Sequence, residues 1–101
     1  MIEIRETQYY RKWFSELKDR KARARIDARL RKVSLGNLGD VKPVGKGVSE
    51  LRIDYGPGYR LYILGIDKTI VILLCGGDKS SQSGDIEKAQ KLALAIRSSG
   101  K

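Results

Sequence analysis

Three residues of this sequence are suited to chemistry on a phosphate: Arg52, Arg60 and Lys79. Between Val48 and Asp54 the side chains alternate, with Leu51 and Ile53 on one side and Glu50, Arg52 and Asp54 on the other. On the stretch Tyr59 to Leu64, Leu61 and Ile63 oppose Arg60 and Tyr62 in the same way. With the aliphatic set packed on helices, the two guanidiniums emerge together on the open face of a sheet, beside a loop carrying Lys42 and Lys46 and near Lys79. A guanidinium suits such a pocket because its planar fork stays charged and grips phosphate oxygens two at a time. On this reading Arg60→Ala opens no cavity in the core. The same pattern fits a plainer arrangement, in which both arginines pair with Glu50, Asp54 or Asp78 at the surface and Lys79 is a solvated turn residue.

The residues that are absent narrow the chemistry. With no histidine and one cysteine, a conventional zinc site cannot be assembled, and no metal or cofactor is expected. Histidine is likewise missing from any acid/base mechanism. Cys75 follows the apolar run Ile70 to Leu74 and reads as a buried, inert thiol in a reducing compartment. Gly45-Lys46-Gly47 lacks the spacing of a nucleotide-binding loop, and no helix is signalled after it.

The 101 residues read as a single domain, 1–101, with 21 lysines and arginines against 12 acids and a net charge of +9. Such an excess favours polyanionic partners, nucleic acid foremost. An opening Met1 to Arg5 without a signal-peptide core, and no apolar run of membrane-spanning length, lead us to expect a cytoplasmic protein with no membrane partner.

The elements that must position these groups follow from periodicity. Ile2 to Arg5 alternates as a strand; Thr7 caps a helix carrying Tyr10, Trp13 or Phe14, and Leu17 on one stripe. Asp19 caps a second helix with Ala22, Ile26, Leu30 and Val33 on its apolar side. From Arg20 to Lys32 that helix carries seven basic residues against the single Asp27. Like charges at i,i+4 repel, so the one-sided run suggests a polyanionic partner, with Arg23 and Arg25 as RNA-binding candidates, although a solvated face is the ordinary meaning of a charge run. Pro43, Gly45 and Gly47 imply an irregular segment before the strand from Val48; Gly56-Pro57-Gly58 and Asp67-Lys68 are turns. Thr69 to Cys75 is apolar on both faces, as in a central strand, and Ile86, Ala89, Ala93 and Ile96 mark a last helix ending in a frayed Ser98 to Lys101. The sum is β-α-α-β-β-β-α, an α+β fold with a largely antiparallel sheet and a helical hairpin packed on one face. Tyr9, Tyr10, Trp13 and Phe14 read as core, and Tyr62, on the arginine face, as the better base-stacking candidate.

Taken in order, Ala22-Arg23-Ala24-Arg25-Ile26, Gly36-Asn37-Leu38-Gly39-Asp40, Lys42-Pro43-Val44-Gly45, Glu50-Leu51-Arg52-Ile53, Gly56-Pro57-Gly58-Tyr59-Arg60-Leu61-Tyr62 and Cys75-Gly76-Gly77-Asp78-Lys79 resemble the HigB-like "addiction module killer" branch of the RelE/ParE toxin superfamily. The resemblance runs from about Thr7 to Ala95. It implies a RelE-like fold and a type II toxin, held by an acidic antitoxin with a helix-turn-helix domain, through which alone operator DNA is bound. RelE-like relatives cut messenger RNA on the ribosome, which makes mRNA and the ribosome the expected partners; ParE-like relatives poison DNA gyrase, and a non-enzymatic RNA-binding module fits the same charge. By position, Arg52, Arg60 and Lys79 match basic residues of the RelE pattern as catalytic groups, with Lys42, Lys46, Tyr62, Arg23 and Arg25 left to bind RNA. The sequence departs from that pattern at Glu50, where RelE has a lysine, and at Asp85-Ile86, where RelE has a tyrosine.

Overall fold

The protein is described from a computed structural model covering residues 1–99. Eight regular elements follow one another: β1 (Glu3–Glu6), α1 (Gln8–Ser15), α2 (Arg20–Ser34), β2 (Val41–Gly45), β3 (Val48–Ile53), β4 (Tyr59–Ile66), β5 (Ile70–Gly77) and α3 (Gln82–Ser99), with a 3-10 turn at Lys79–Ser81. The strands form one sheet in the order β1-β5-β4-β3-β2, antiparallel except where β1 runs parallel to β5. The α+β class stands, with one strand more than the sequence suggests. Val41–Gly45, expected to be irregular, is an edge strand: it pairs with β3 across the two-residue turn Lys46-Gly47, both at positive φ. Pro43 is tolerated because β2 is the sheet's last strand and bulges between Pro43 and Gly45. Of the expected frayed end, Ser98 and Ser99 continue α3, while Gly100 and Lys101 lie outside the described residues.

Local chemistry sets the helix starts. Thr7 Oγ1 accepts from the Tyr10 amide at 3.1 Å and donates to the Leu74 carbonyl at 2.6 Å, tying the α1 cap to β5. Asp19 accepts from the amides of Lys21 and Ala22, and the Ala22 bond foremost holds its carboxyl below the ordinary aspartate range.

Both faces of the sheet are covered. On one, Tyr10 of α1 and Ile26 and Val33 of α2 pack on Leu51, Ile53, Leu61, Ile63, Val71 and Leu73. On the other, Ala89 and Ala93 of α3 pack on Val48, Tyr62, Leu64, Ile72, Leu74 and Cys75. The two alanines let the helix lie close to the strands. Cys75 is buried, as expected, and burial pushes its thiol up to about 11. Among the described residues no helix is long and apolar enough to cross a membrane.

Arg29 fastens α2 to the loop that leads into β2. Its guanidinium donates to the carbonyls of Leu38 (3.1 and 2.9 Å), Asp40 (2.6 Å) and Arg52 (2.6 Å). Removing it leaves carbonyls on three residues short of a donor, so Arg29→Ala should lose on the order of 2–3 kcal/mol of stability in urea melts. Arg20→Ala, at an exposed position of the same helix, should change stability by less than about 0.5 kcal/mol.

Candidate functional site

The strand registers bring Arg52 and Arg60 directly opposite each other, and Arg60 opposite Gly77 at the end of β5. These three residues form one cross-strand row, in which facing Cβ atoms are typically about 5 Å apart. Two cations so close need counter-charge, and each has one. Arg52 Nε lies 3.6 Å from Asp40 Oδ2 in an exposed pair. Arg60 Nε lies 3.5 Å from Glu50 Oε2, and both side chains are buried.

The expected open face is therefore not open. The row faces the side covered by α3; Arg60 is only 7% exposed and Tyr62 is completely buried. Sequence alternation assigned the faces correctly but could not tell that the last helix would close the second one. Tyr62 has no ring face free for a base. Burial, with the neighbouring Glu50 carboxylate, pushes its phenol above its ordinary value, and its hydroxyl donates to Glu50 Oε2 at 3.3 Å. Gln82, at the first position of α3, donates to the same oxygen at 2.8 Å.

The residues at the rim come from two turns and the strand ends beside them. Arg60 Nη1 donates to the Gly58 carbonyl at 2.7 Å, and the Lys79 amide donates to the Pro57 carbonyl at 3.4 Å. A Cβ on Gly58 would stand 3.1 Å from Arg60 Nη1 and 3.6 Å from Lys79 Cβ, and Gly58 has φ +81, so glycine admits both neighbours. Gly77 serves the same end: any Cβ there would overlap the Asp85 carboxylate, which accepts from Ser81 Oγ at 2.5 Å. Gly76 leaves room for the Trp13 ring. The surface between these turns is a shallow depression of about 290 Å³ lined by Asp40, Arg52, Asp54, Gly58, Tyr59 and Arg60, with Lys79 beside it. Asp78 caps the 3-10 turn; its carboxyl is held below the ordinary range, mainly by the Ser80 hydroxyl.

The remaining candidates are scattered. Lys42 is exposed opposite Glu50, one row from the arginines. Lys46 occupies the hairpin tip beyond Val48, which is itself four strand residues and about 13 Å from Arg52. It is no neighbour of the arginine row, contrary to the single Lys42 and Lys46 loop expected there. Arg23 is engaged internally, donating to the carbonyls of Phe14 and Leu17 at 3.1 Å each, with its guanidinium over the Phe14 ring. Arg25 stays exposed, 4.7 Å over the Tyr55 ring. Gln82 escaped the sequence reading as a member of this cluster, whereas Glu50, one of the acids expected to pair with the arginines at the surface, does pair with Arg60 but in the interior. The signal for Glu50 was available: its place in the alternation puts it on the face of Val48, which forms core.

Fold and site define a small, strongly basic α+β domain with a half-sequestered arginine pair at one end of its sheet. No family model matches the chain. A protein of Haemophilus influenzae strain Rd, described as uncharacterized, is 49% identical over 95 residues, which is 94% of this chain and 96% of that one. The chain belongs to the family of that protein.

The two arginines should separate in stability. Arg60→Ala would strand the buried Glu50 carboxylate and so should cost roughly 3–5 kcal/mol, which reverses the expectation of a harmless truncation. Arg52→Ala removes only an exposed pair and should stay within about 1 kcal/mol of the parent. Chemical denaturation of the two variants side by side measures the difference.

Proposed function

We propose that this protein is the toxin of a type II toxin-antitoxin system and acts as a metal-independent endoribonuclease on messenger RNA in the ribosome. The observation that carries this reading is the facing pair of Arg52 and Arg60 at a shallow depression, with Lys79 beside it. A depression open on one side admits a backbone phosphate of an extended strand, and forked cations are the donors that stabilise charge on a pentacoordinate phosphorus. The net charge of +9 supports a polyanionic target and an acidic antitoxin as its counterpart.

In this mechanism the 2′-oxygen of the RNA attacks the adjacent phosphorus as its hydroxyl proton is withdrawn. The bond from phosphorus to the 5′-oxygen breaks, and that oxygen takes up a proton. The products are a 2′,3′-cyclic phosphate and a 5′-hydroxyl. Arg60 and Arg52 stabilise the developing charge on the non-bridging oxygens, and in this reading Lys79 hands a proton to the departing oxygen or binds the next phosphate. The ribosome supplies the acid/base capacity that a chain without histidine lacks.

Brief expression of the chain, followed by mapping of RNA 5′ ends and of DNA breaks in the same cells, tests this directly. Growth should stop, new 5′-hydroxyl ends should appear at codon-phased positions in translated messages, and coexpression of an acidic partner should restore growth. Arg52→Ala should lower cleavage on the order of a hundredfold while costing no more than about 1 kcal/mol of stability. Gyrase-linked DNA breaks without RNA ends, or normal growth at high levels of folded protein, would refute the nuclease.

A further inference from the structure

Among the described residues, the two charged side chains in the buried set are Glu50 and Arg60, and they face each other. Three groups converge on a single oxygen, Glu50 Oε2: Gln82 Nε2 at 2.8 Å, Tyr62 Oη at 3.3 Å and Arg60 Nε at 3.5 Å. Its other oxygen, Oε1, has no hydrogen-bond partner. The Arg60 contact is an ion pair without the alignment of a hydrogen bond, since Nε is also without a bonded partner. A carboxylate this deeply placed in an antiparallel strand is unfavourable unless a cation is held against it.

From this convergence we propose that Glu50 is a positioning residue: its carboxylate, fixed by Gln82 and Tyr62, sets the orientation of the Arg60 fork in the site described above. The geometry of the fork carries the argument. Glu50 lies against the Nε side as an ion pair at 3.5 Å and the Gly58 carbonyl takes Nη1 at 2.7 Å, so charge attraction at one corner and a hydrogen bond at another hold the guanidinium in place. Nη2 is left without a protein partner among the described residues, on a side chain that lines the depression. That edge is the one available to a phosphate oxygen. Glu50 itself is fully buried and cannot touch RNA, so it acts only through Arg60. The like-charged Arg52, directly across the strand pair, would otherwise push the Arg60 fork away from the shared rim.

The test is Glu50→Gln in the full chain, which removes the charge while its amide oxygen can still accept from Tyr62 and Gln82. The catalytic arm rests on the nuclease reading: on programmed ribosomes kcat should fall about tenfold or more with KM little changed, as when a transition-state donor loses its orientation. A second arm does not rest on it. In nitrogen-15 NMR spectra the Arg60 Nε–H, assigned by its loss in Arg60→Lys, should exchange slowly with water in the parent and rapidly in Glu50→Gln. A folded Glu50→Gln protein with parental kcat, or with Arg60 Nε–H exchange unchanged, overturns the proposal. If Glu50→Gln does not fold, Gln82→Ala takes its place. A kcat lowered a few-fold with faster Nε–H exchange then supports the proposal, and parental values of both overturn it. Should the parent cut no RNA on ribosomes, the nuclease reading falls, and the exchange measurement alone decides whether Glu50 positions Arg60.

Discussion

Burying the Arg60 guanidinium against the Glu50 carboxylate is the constraint to which one whole end of this fold answers. An ion pair removed from water is stable only when its remaining donors and acceptors are met and its neighbours are packed. Those demands explain features that look unrelated in the sequence. The first residue of α3 is a glutamine that reaches Oε2, the residue facing Glu50 on β4 is a tyrosine whose hydroxyl does the same, and Gly77 lets the Asp85 and Ser81 side chains approach the strand beside Arg60. The start of the last helix is thus fixed by the charge it covers.

Much of the architecture was legible because local chemistry and tertiary context agreed. Thr7 and Asp19 cap their helices, Ala22, Ile26 and Val33 face the core, and the apolar run from Ile70 to Cys75 lies in β5, covered on both sides, with Thr69 left in the turn before it. The facing of Arg52 and Arg60 also followed from alternation, once the turn at Gly56 to Gly58 was placed. The misreading of the arginine face has one physical cause. Alternation tells which side chains share a face, but whether that face meets water depends on what packs there from far along the chain. Tyr62 and Arg60 were read as displayed because the stripe of Ile86, Ala89, Ala93 and Ile96 does not announce which sheet face it covers. β2 was missed because Pro43 and the flanking glycines argue against a strand in general, and only an edge position with a bulge accommodates them.

Charge shows a similar division between what a sequence counts and what a structure uses. The basic run on α2 reads as one surface, yet its members have different work. Arg23 closes the carbonyls at the end of α1, Arg29 ties down the loop before β2, and Arg25 lies across Tyr55. Arg20, Lys21, Arg31 and Lys32 remain exposed. A cation satisfied by backbone carbonyls contributes to the long-range field but offers fewer donors to a partner.

The turn between β4 and β5 lies at the far end of the same hairpin that carries Arg60. Asp67 and Lys68 adopt positive φ there without glycine, at 54 and 63. Arg60 lies six strand residues before Ile66, roughly 20 Å from that turn at the usual strand rise. The hairpin thus runs as a rod with the arginine row at one tip and an exposed turn at the other. A fluorophore, an epitope or an inserted peptide grafted between Asp67 and Thr69 would ride on the molecule at a distance from its arginines, making that tip the natural handle for following the protein in a cell.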